Sequence, residues 1–306
     1  MYILTIDVGG TNVKHAVIDD NGEIHAQGNF PTPATLAEMQ SGLAQAAGSY
    51  RDQYELSGAA FSLPGTVDEA AGVIHQINAI PYLQEVNFTE NFGTVLDLPI
   101  SMENDANCAA LGEMWLGAAQ GAEDIVFVIC GTGVGGALLH KGEVLHGRHF
   151  LGGELGFMRL DAEGGTLDEL GSVGGMVRRV ECAKGLPAGS LDGQKVFALA
   201  DEGDACAREQ IEKMYASLAL GIVNAQYIYD PDLFLIGGAV SSRSDFIERL
   251  RAQVMAQIAL VPVVAVEPSI VACRFGNAAN LLGAARHFLD RYAAADDSIS
   301  GCSSKE

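Results

Sequence analysis

Tyr2-Ile3-Leu4-Thr5-Ile6-Asp7-Val8-Gly9-Gly10-Thr11 runs from a short apolar, β-rich stretch directly into a glycine turn. Val13 to Asp19 and Glu23 to Phe30 follow as two further β-prone stretches, joined at Asp20-Asn21-Gly22, a strong hairpin signal. The same grammar returns at Ile125-Val126-Phe127-Val128-Ile129-Cys130. That run enters Gly131-Thr132-Gly133-Val134-Gly135-Gly136, then Ala137 to His140, a Lys141-Gly142 turn and Glu143-Val144-Leu145. Strand, glycine turn, strand, turn, strand thus occurs twice, which predicts two similar α/β halves built on one duplicated plan.

Between and after these meanders, composition predicts helices over Leu36 to Tyr50, Asn104 to Gly117, Ala205 to Tyr229, Asp245 to Ile258 and about Asn277 to Tyr292. Leu56 to Leu63, Pro99 to Met102 and Leu233 to Ile236 read as strands. The expected division is an N-terminal domain over 1–117, completed by the last helix (about 277–292), and a C-terminal domain over 118–276. The small, polar stretch 293–306 is expected to be a frayed, flexible tail.

The 306 residues carry 18 Lys+Arg against 39 Asp+Glu, a formal charge of −21. That balance lacks the basic footprint of a nucleic-acid or anionic-membrane partner. No apolar run approaches the roughly 20 residues of a membrane span. Met1 to Val8 reads as a strand rather than a leader, so a cytoplasmic location is expected. The six cysteines are scattered with no Cys-x-x-Cys pair, which fits reduced thiols. The seven histidines stand in no ligand spacing, so core or surface roles are expected of each.

Gly9-Gly10-Thr11 and Gly131-Thr132-Gly133 both lie between strands. Backbone N–H groups approach a phosphate closely only where no Cβ intervenes, and the threonine hydroxyls add neutral donors. Neither loop is a Walker P-loop or a dinucleotide fingerprint, because no Gly-Lys-Ser/Thr and no helix follows. One such loop alone would read as a tight hairpin turn. Two in duplicated settings, with Gly237-Gly238 closing a later strand, point to a bound nucleotide. Asp7 ends a strand at the first loop, and a carboxylate beside phosphate implies an intervening Mg²⁺; a turn-capping Asp is the competing reading. Asn104 suits a helix N-cap. Asp105 would then stand in the first turn, ionised by the positive helix end and suited to removing a proton from a hydroxyl. Glu154, flanked by glycines, is a weaker candidate.

Six ordered motifs resemble the ROK family (repressor, open reading frame, kinase). They are Asp7-Val8-Gly9-Gly10-Thr11, Leu63-Pro64-Gly65, Glu103-Asn104-Asp105-Ala106-Asn107, Gly131 to Gly136, Gly153-Glu154-Leu155-Gly156 and Leu235-Ile236-Gly237-Gly238. The resemblance covers about Tyr2 to Leu289. It implies an actin-like ATPase (ribonuclease H-like) fold, two duplicated α/β domains with a cleft between them, and an ATP-dependent sugar kinase. By that resemblance Asp105 is the general base toward a primary hydroxyl, and Asn104, Glu154, Gly65 and Asn78 contact the sugar. Gly9, Gly10, Thr11, Gly131, Thr132, Gly133 and Gly135 hold ATP phosphates, Asp7 organises Mg²⁺ through water, and Gly237 and Gly238 lie under the adenosine. Family members are commonly dimers, so a homodimer is implied as well.

The chain departs from the family's zinc pattern. Phe157 stands where most members carry a His, and Thr166 where the last Cys of a Cys-x-Cys-Gly-x-x-Gly-Cys segment would be. A four-ligand structural zinc site has no ligands here. The family's following sugar-contacting Glu aligns with Asp168, with Glu169 as the neighbouring alternative. The pattern resembles the zinc-lacking branch, which includes β-glucoside kinases and N-acetylmannosamine kinases. The expected substrate is a hexose such as glucose or a β-glucoside, with N-acetylmannosamine as the alternative. A ROK-type repressor would carry an N-terminal helix-turn-helix before the first loop, and a silent sugar sensor would not need Asp105.

Overall fold

The computed structural model describes residues 1–261 and 266–300 and divides into two compact units, Met1–Gly117 with the segment from Asn277 onward, and Ala118–Gly276. In the first unit β1 (Tyr2–Val8), β2 (Asn12–Asp19) and β3 (Ile24–Pro31) form the antiparallel meander, followed by α1 (Leu36–Arg51) and β4 (Leu56–Leu63). A two-stranded hairpin of β5 (Val67–Asp68) and β6 (Val73–Ile74), a short α2 (Thr94–Leu96), β7 (Ile100–Asn104) and α3 (Asp105–Leu116) complete the run. The five-stranded sheet has the order β3-β2-β1-β4-β7, with β1, β4 and β7 parallel.

The second unit repeats this plan. β8 (Ile125–Cys130), β9 (Val134–His140) and β10 (Glu143–Val144) are antiparallel, then come α4 (Leu167–Gly171), α5 (Val173–Lys184), α6 (Gly193–Asp201) and α7 (Ala205–Tyr229). β11 (Leu233–Gly237), α8 (Phe246–Ile258) and β12 (Ile270–Ala272) follow, and the sheet order is β10-β9-β8-β11-β12. Both sheets thus pair two antiparallel neighbours on one side of the first strand and two parallel ones on the other. Finally α9 (Ala279–Ser300) returns to the first unit.

Two corrections concern segment ends. The last helix continues to Ser300, so the expected tail is helical over 293–300, and 301–306 lie outside the described residues. Its small residues include Ala293-Ala294-Ala295, and alanine is the best helix former. The second glycine loop is also shorter than its composition suggests. Val134, Gly135 and Gly136 pair with Cys130, Ile129 and Val128, which leaves Gly131-Thr132-Gly133 as the turn.

Strand periodicity explains how the first sheet serves two faces. Leu4 and Ile6 of β1, Ala59, Phe61 and Leu63 of β4, and Ile100 and Met102 of β7 join the core cluster with Met39, Leu43 and Ala47 of α1. The alternate residues face α9. Gly58 is one of them, since a Cβ there would lie 2.0 Å from the Phe288 ring, and Ser62 is another, reaching Asp7. Helix α9 also packs closely on α3: a Cβ at Gly283 would lie 1.6 Å from the Cys108 carbonyl oxygen, and one at Gly112 2.4 Å from that of Ala279. Only glycine permits a backbone approach this near.

Gly283→Ala is therefore expected to lower unfolding free energy by about 1–3 kcal/mol through overpacking. Gly48→Ala, on exposed α1 with no atom near the added methyl, is expected to raise it by about 0.5–1 kcal/mol. Urea unfolding of the two variants measures both.

Candidate active site

The first unit gathers three carboxylates around Cys108, whose thiol is pushed well above its usual value by burial and then by Glu103, Asp7 and Asp105. Asp7 stands at the α9 side of β1 and is almost fully buried. Its Oδ1 accepts from Ser62 Oγ at 3.0 Å and Asn280 Nδ2 at 3.1 Å, and its Oδ2 pairs with Lys14 Nζ at 3.2 Å. Lys14 arrives there because it lies directly opposite Asp7 in the β1–β2 register. Asp7 is thus a bound anion rather than a turn cap. Sequence reading missed Lys14, Ser62 and Asn280; the first follows from hairpin register, while the other two come from distant segments.

In the first glycine turn the Gly9 N–H donates to the Asn12 carbonyl at 3.0 Å. Gly9 shapes the turn, so amides for a phosphate come from Gly10 and Thr11. The ideal Cβ of Gly10 would lie 3.5 Å from Ala79 Cβ, which brings the loop carrying exposed Asn78 beside this turn. Gly65 has φ +97°, and a Cβ there would lie 2.1 Å from the Gln76 carbonyl oxygen, so the position requires glycine.

Asn104 is the N-cap of α3, its Oδ1 accepting from the N–H groups of Ala106 at 2.9 Å and Asn107 at 3.2 Å. Its Nδ2 donates to the Gly65 carbonyl at 3.1 Å. Both acceptor positions and one donor hydrogen are therefore engaged, and one N–H remains to donate to a ligand oxygen. Capping and ligand contact, which compete in the sequence, are compatible in one side chain. Asp105 follows as the first residue of α3, half-buried, its Oδ1 accepting from the Ala106 N–H at 2.9 Å. The helix end favours its ionised form.

In the second unit the Gly131 N–H donates to the Gly133 carbonyl at 2.8 Å, so Thr132 and Gly133 present the amides of that turn. The start of α5 seats the loop: the Gly174 N–H donates to the Gly131 carbonyl at 3.1 Å, and a Cβ at Gly174 would lie 2.0 Å from the Thr132 carbonyl oxygen. Asp168 Oδ1 accepts from the Val134 N–H at 2.7 Å, and a Cβ at Gly133 would lie 2.3 Å from that same oxygen. Asp168 thus braces the glycine turn from below. Its neighbour Glu169 forms a capping box with Thr166 at the start of α4. Gly238 closes β11 at φ +93°, where a Cβ would lie 2.0 Å from the Cys130 carbonyl oxygen, and Gly237 packs on the Phe127 ring. These glycines therefore lie against the strand that leads into the Gly131 turn.

Glu154 precedes a 3₁₀ turn over Leu155–Phe157, half-buried, and burial pushes its carboxyl above the ordinary value. Gly153 before it has φ +86°, with Ala137 Cα 2.6 Å from where a Cβ would stand. Phe157 ends the turn with 73 % of its surface exposed.

A family model described as ROK family matches residues 3–291. The chain belongs to the ROK family. It is 33 % identical over 300 residues to a β-glucoside kinase of Listeria monocytogenes, covering 94 % of this chain and 98 % of that protein. It is 29 % identical over 310 residues to a glucokinase of Halalkalibacterium halodurans, covering 92 % and 93 %. Among solved structures, a ROK family protein from Streptococcus pneumoniae in complex with sucrose superposes with a TM-score of 0.89 at 35 % identity, covering 96 % of this chain and all of that one. The duplicated sheets are thus those of the actin-like ATPase fold that ROK kinases share. No helix among the described residues is long and apolar enough to cross a membrane.

Glu154 supplies a pH test with a definite sign. Its carboxyl is raised in the folded chain, so between the unfolded and folded values the folded state binds more protons and stability falls as pH rises. Glu154→Gln is expected to melt higher than the parent at pH 7, with the advantage vanishing at pH values below the normal Glu range. Thermal melts across pH measure the difference.

Proposed function

We propose that this ROK protein is a sugar kinase that transfers the γ-phosphoryl group of ATP to the primary hydroxyl of a hexose or β-glucoside, with Asp105 as general base. The observation that carries the reading is the Asn104–Asp105 pair. It joins a fixed amide with one donor hydrogen left to an ionised carboxylate at a helix start, in a chain whose relatives are named as sugar kinases.

In this reading Asn104 donates its remaining N–H to a sugar hydroxyl, while Asn78 and Glu154 contact others. Asp105 takes the proton of the primary hydroxyl as its oxygen bonds to the γ-phosphorus, and the bond to the leaving ADP oxygen breaks. Amides of Gly10, Thr11, Thr132 and Gly133 hold phosphate oxygens, and Asp168 keeps the second turn in shape for them. Little covalent work is asked of the protein, because phosphoryl transfer is accelerated mainly by positioning and charge neutralisation.

Asp7 is the residue that would hold Mg²⁺ through water. The donor set fits that mode: a single carboxylate with neutral donors on Oδ1 suits a hydrated, nucleotide-bound ion, not an all-protein cage. When bound, such an ion neutralises phosphate charge. The exposed Phe157 ring, close in sequence to Glu154, offers an apolar face to the C–H side of a second sugar ring. This favours a glycoside, as do the β-glucoside kinase relative and the sucrose-bound neighbour.

A coupled ADP-release assay over glucose, cellobiose, fructose, mannose and N-acetylmannosamine tests the reading; no ATP consumption with any of them sinks it. Asp105→Asn is expected to lower kcat by roughly 10²- to 10⁴-fold while calorimetry still detects sugar binding. Phe157→Ala is expected to raise KM for cellobiose more than KM for glucose, and chelation by EDTA to abolish turnover.

A further inference from the structure

The face of α9 that packs on the first unit carries two polar side chains, Asn280 and His287, two turns apart. Asn280 donates to Asp7. His287 reaches the buried Glu103, which immediately precedes the Asn104–Asp105 pair and takes no part in the mechanism above. Glu103 is 2 % exposed, and its Oε1 accepts from the Asn104 N–H at 2.6 Å and Asn107 Nδ2 at 2.9 Å. One carboxylate oxygen thus grips both the backbone of Asn104 and the first turn of α3.

The other oxygen, Oε2, lies 3.8 Å from His287 Nε2, which also lies 3.5 Å from Glu69 Oε2. Glu69 in turn pairs with Arg291 and accepts from the Met102 N–H at 3.3 Å. Carboxylates are acceptors when ionised, so the imidazole hydrogen belongs on Nε2, aimed between the two. Nδ1 is buried with no hydrogen-bond partner. A residue that merely filled this space would serve better as an apolar side chain, which leaves no polar atom stranded. The imidazole instead meets the electrostatic need of a carboxylate that is out of water.

We propose that His287 is a positioning residue for phosphoryl transfer: by engaging Glu103 from α9, it fixes the Asn104–Asp105 segment in its working orientation. The inference rests on the kinase reading for its kinetic consequence, but its structural core does not depend on that reading.

Two measurements keep these separate. Hydrogen exchange of full-length His287→Gln is expected to quicken in peptides spanning Glu103 to Cys108 and to stay unchanged in α1. Unchanged exchange over that segment overturns the proposal, whether or not any sugar is turned over. In steady-state kinetics on the best sugar, His287→Gln and Glu103→Gln are each expected to lower kcat roughly 10- to 100-fold with KM for ATP unchanged. Their double variant is expected to be no worse than the more damaging single one, because the two act as one unit. Arg286→Ala, which removes an exposed ion pair with Asp290 from the same helix, is expected to keep full kcat. Full kcat in His287→Gln, or a double variant whose loss is the product of the single losses, overturns the proposal. If His287→Gln does not fold, Glu103→Gln alone decides, by the same exchange and kcat criteria. A wild-type chain inactive on every sugar, with the exchange result as expected, defeats the kinase reading and leaves the positioning role standing.

Discussion

The closeness of α9 to its neighbours is the constraint from which the first unit takes its working geometry. Glycine at 58, 112 and 283 lets a helix backbone come nearer than any side chain would permit. That closeness brings Asn280 within hydrogen-bonding distance of Asp7 and His287 within ion-pair distance of Glu103. A helix held farther out would leave two carboxylates buried without these partners, and a buried charge without partners is among the costliest features a fold can contain.

Glycine acts differently in the second unit. Gly133, Gly174 and Gly238 each occupy a place where a Cβ would strike a backbone or carboxylate oxygen. The Thr132 turn is consequently enclosed by α5, by Asp168 and by the chain leaving β11. A loop made of flexible residues is thereby held in one shape, and an anion site needs that, since amides that must be ordered upon binding lose affinity to entropy.

Much of the architecture was legible in the sequence because it is written in local signals. Asp20-Asn21-Gly22 and Lys141-Gly142 marked the hairpins, and the two apolar runs at Ile3 and Ile125 marked the first strands of the two sheets. The α7 limits, Ala205 and Tyr229, agree with the composition. What stayed hidden depends on tertiary placement. Residues 167–201 carry three helices that no clean period announced, and β12 is a strand of three residues. Asp168 aligned with a sugar ligand in the resemblance, yet its carboxylate meets the Val134 amide, a contact that only the folded chain brings about. His287 carried no motif at all, because its meaning arises where a helix near the chain's end crosses the end of β7.

The first unit is also discontinuous along the chain. Its sheet is complete in sequence by Asn104, while the helix that packs against that sheet begins at Ala279, after the whole of the second unit. A nascent chain emerging from the ribosome therefore holds an uncovered sheet face, with Asp7 and Glu103 on it, until the inserted unit has been made. The second unit, contiguous from Ala118 to Gly276, can close on its own first. Synthesis order thus delays assembly of the acidic centre until nearly all of the polypeptide exists.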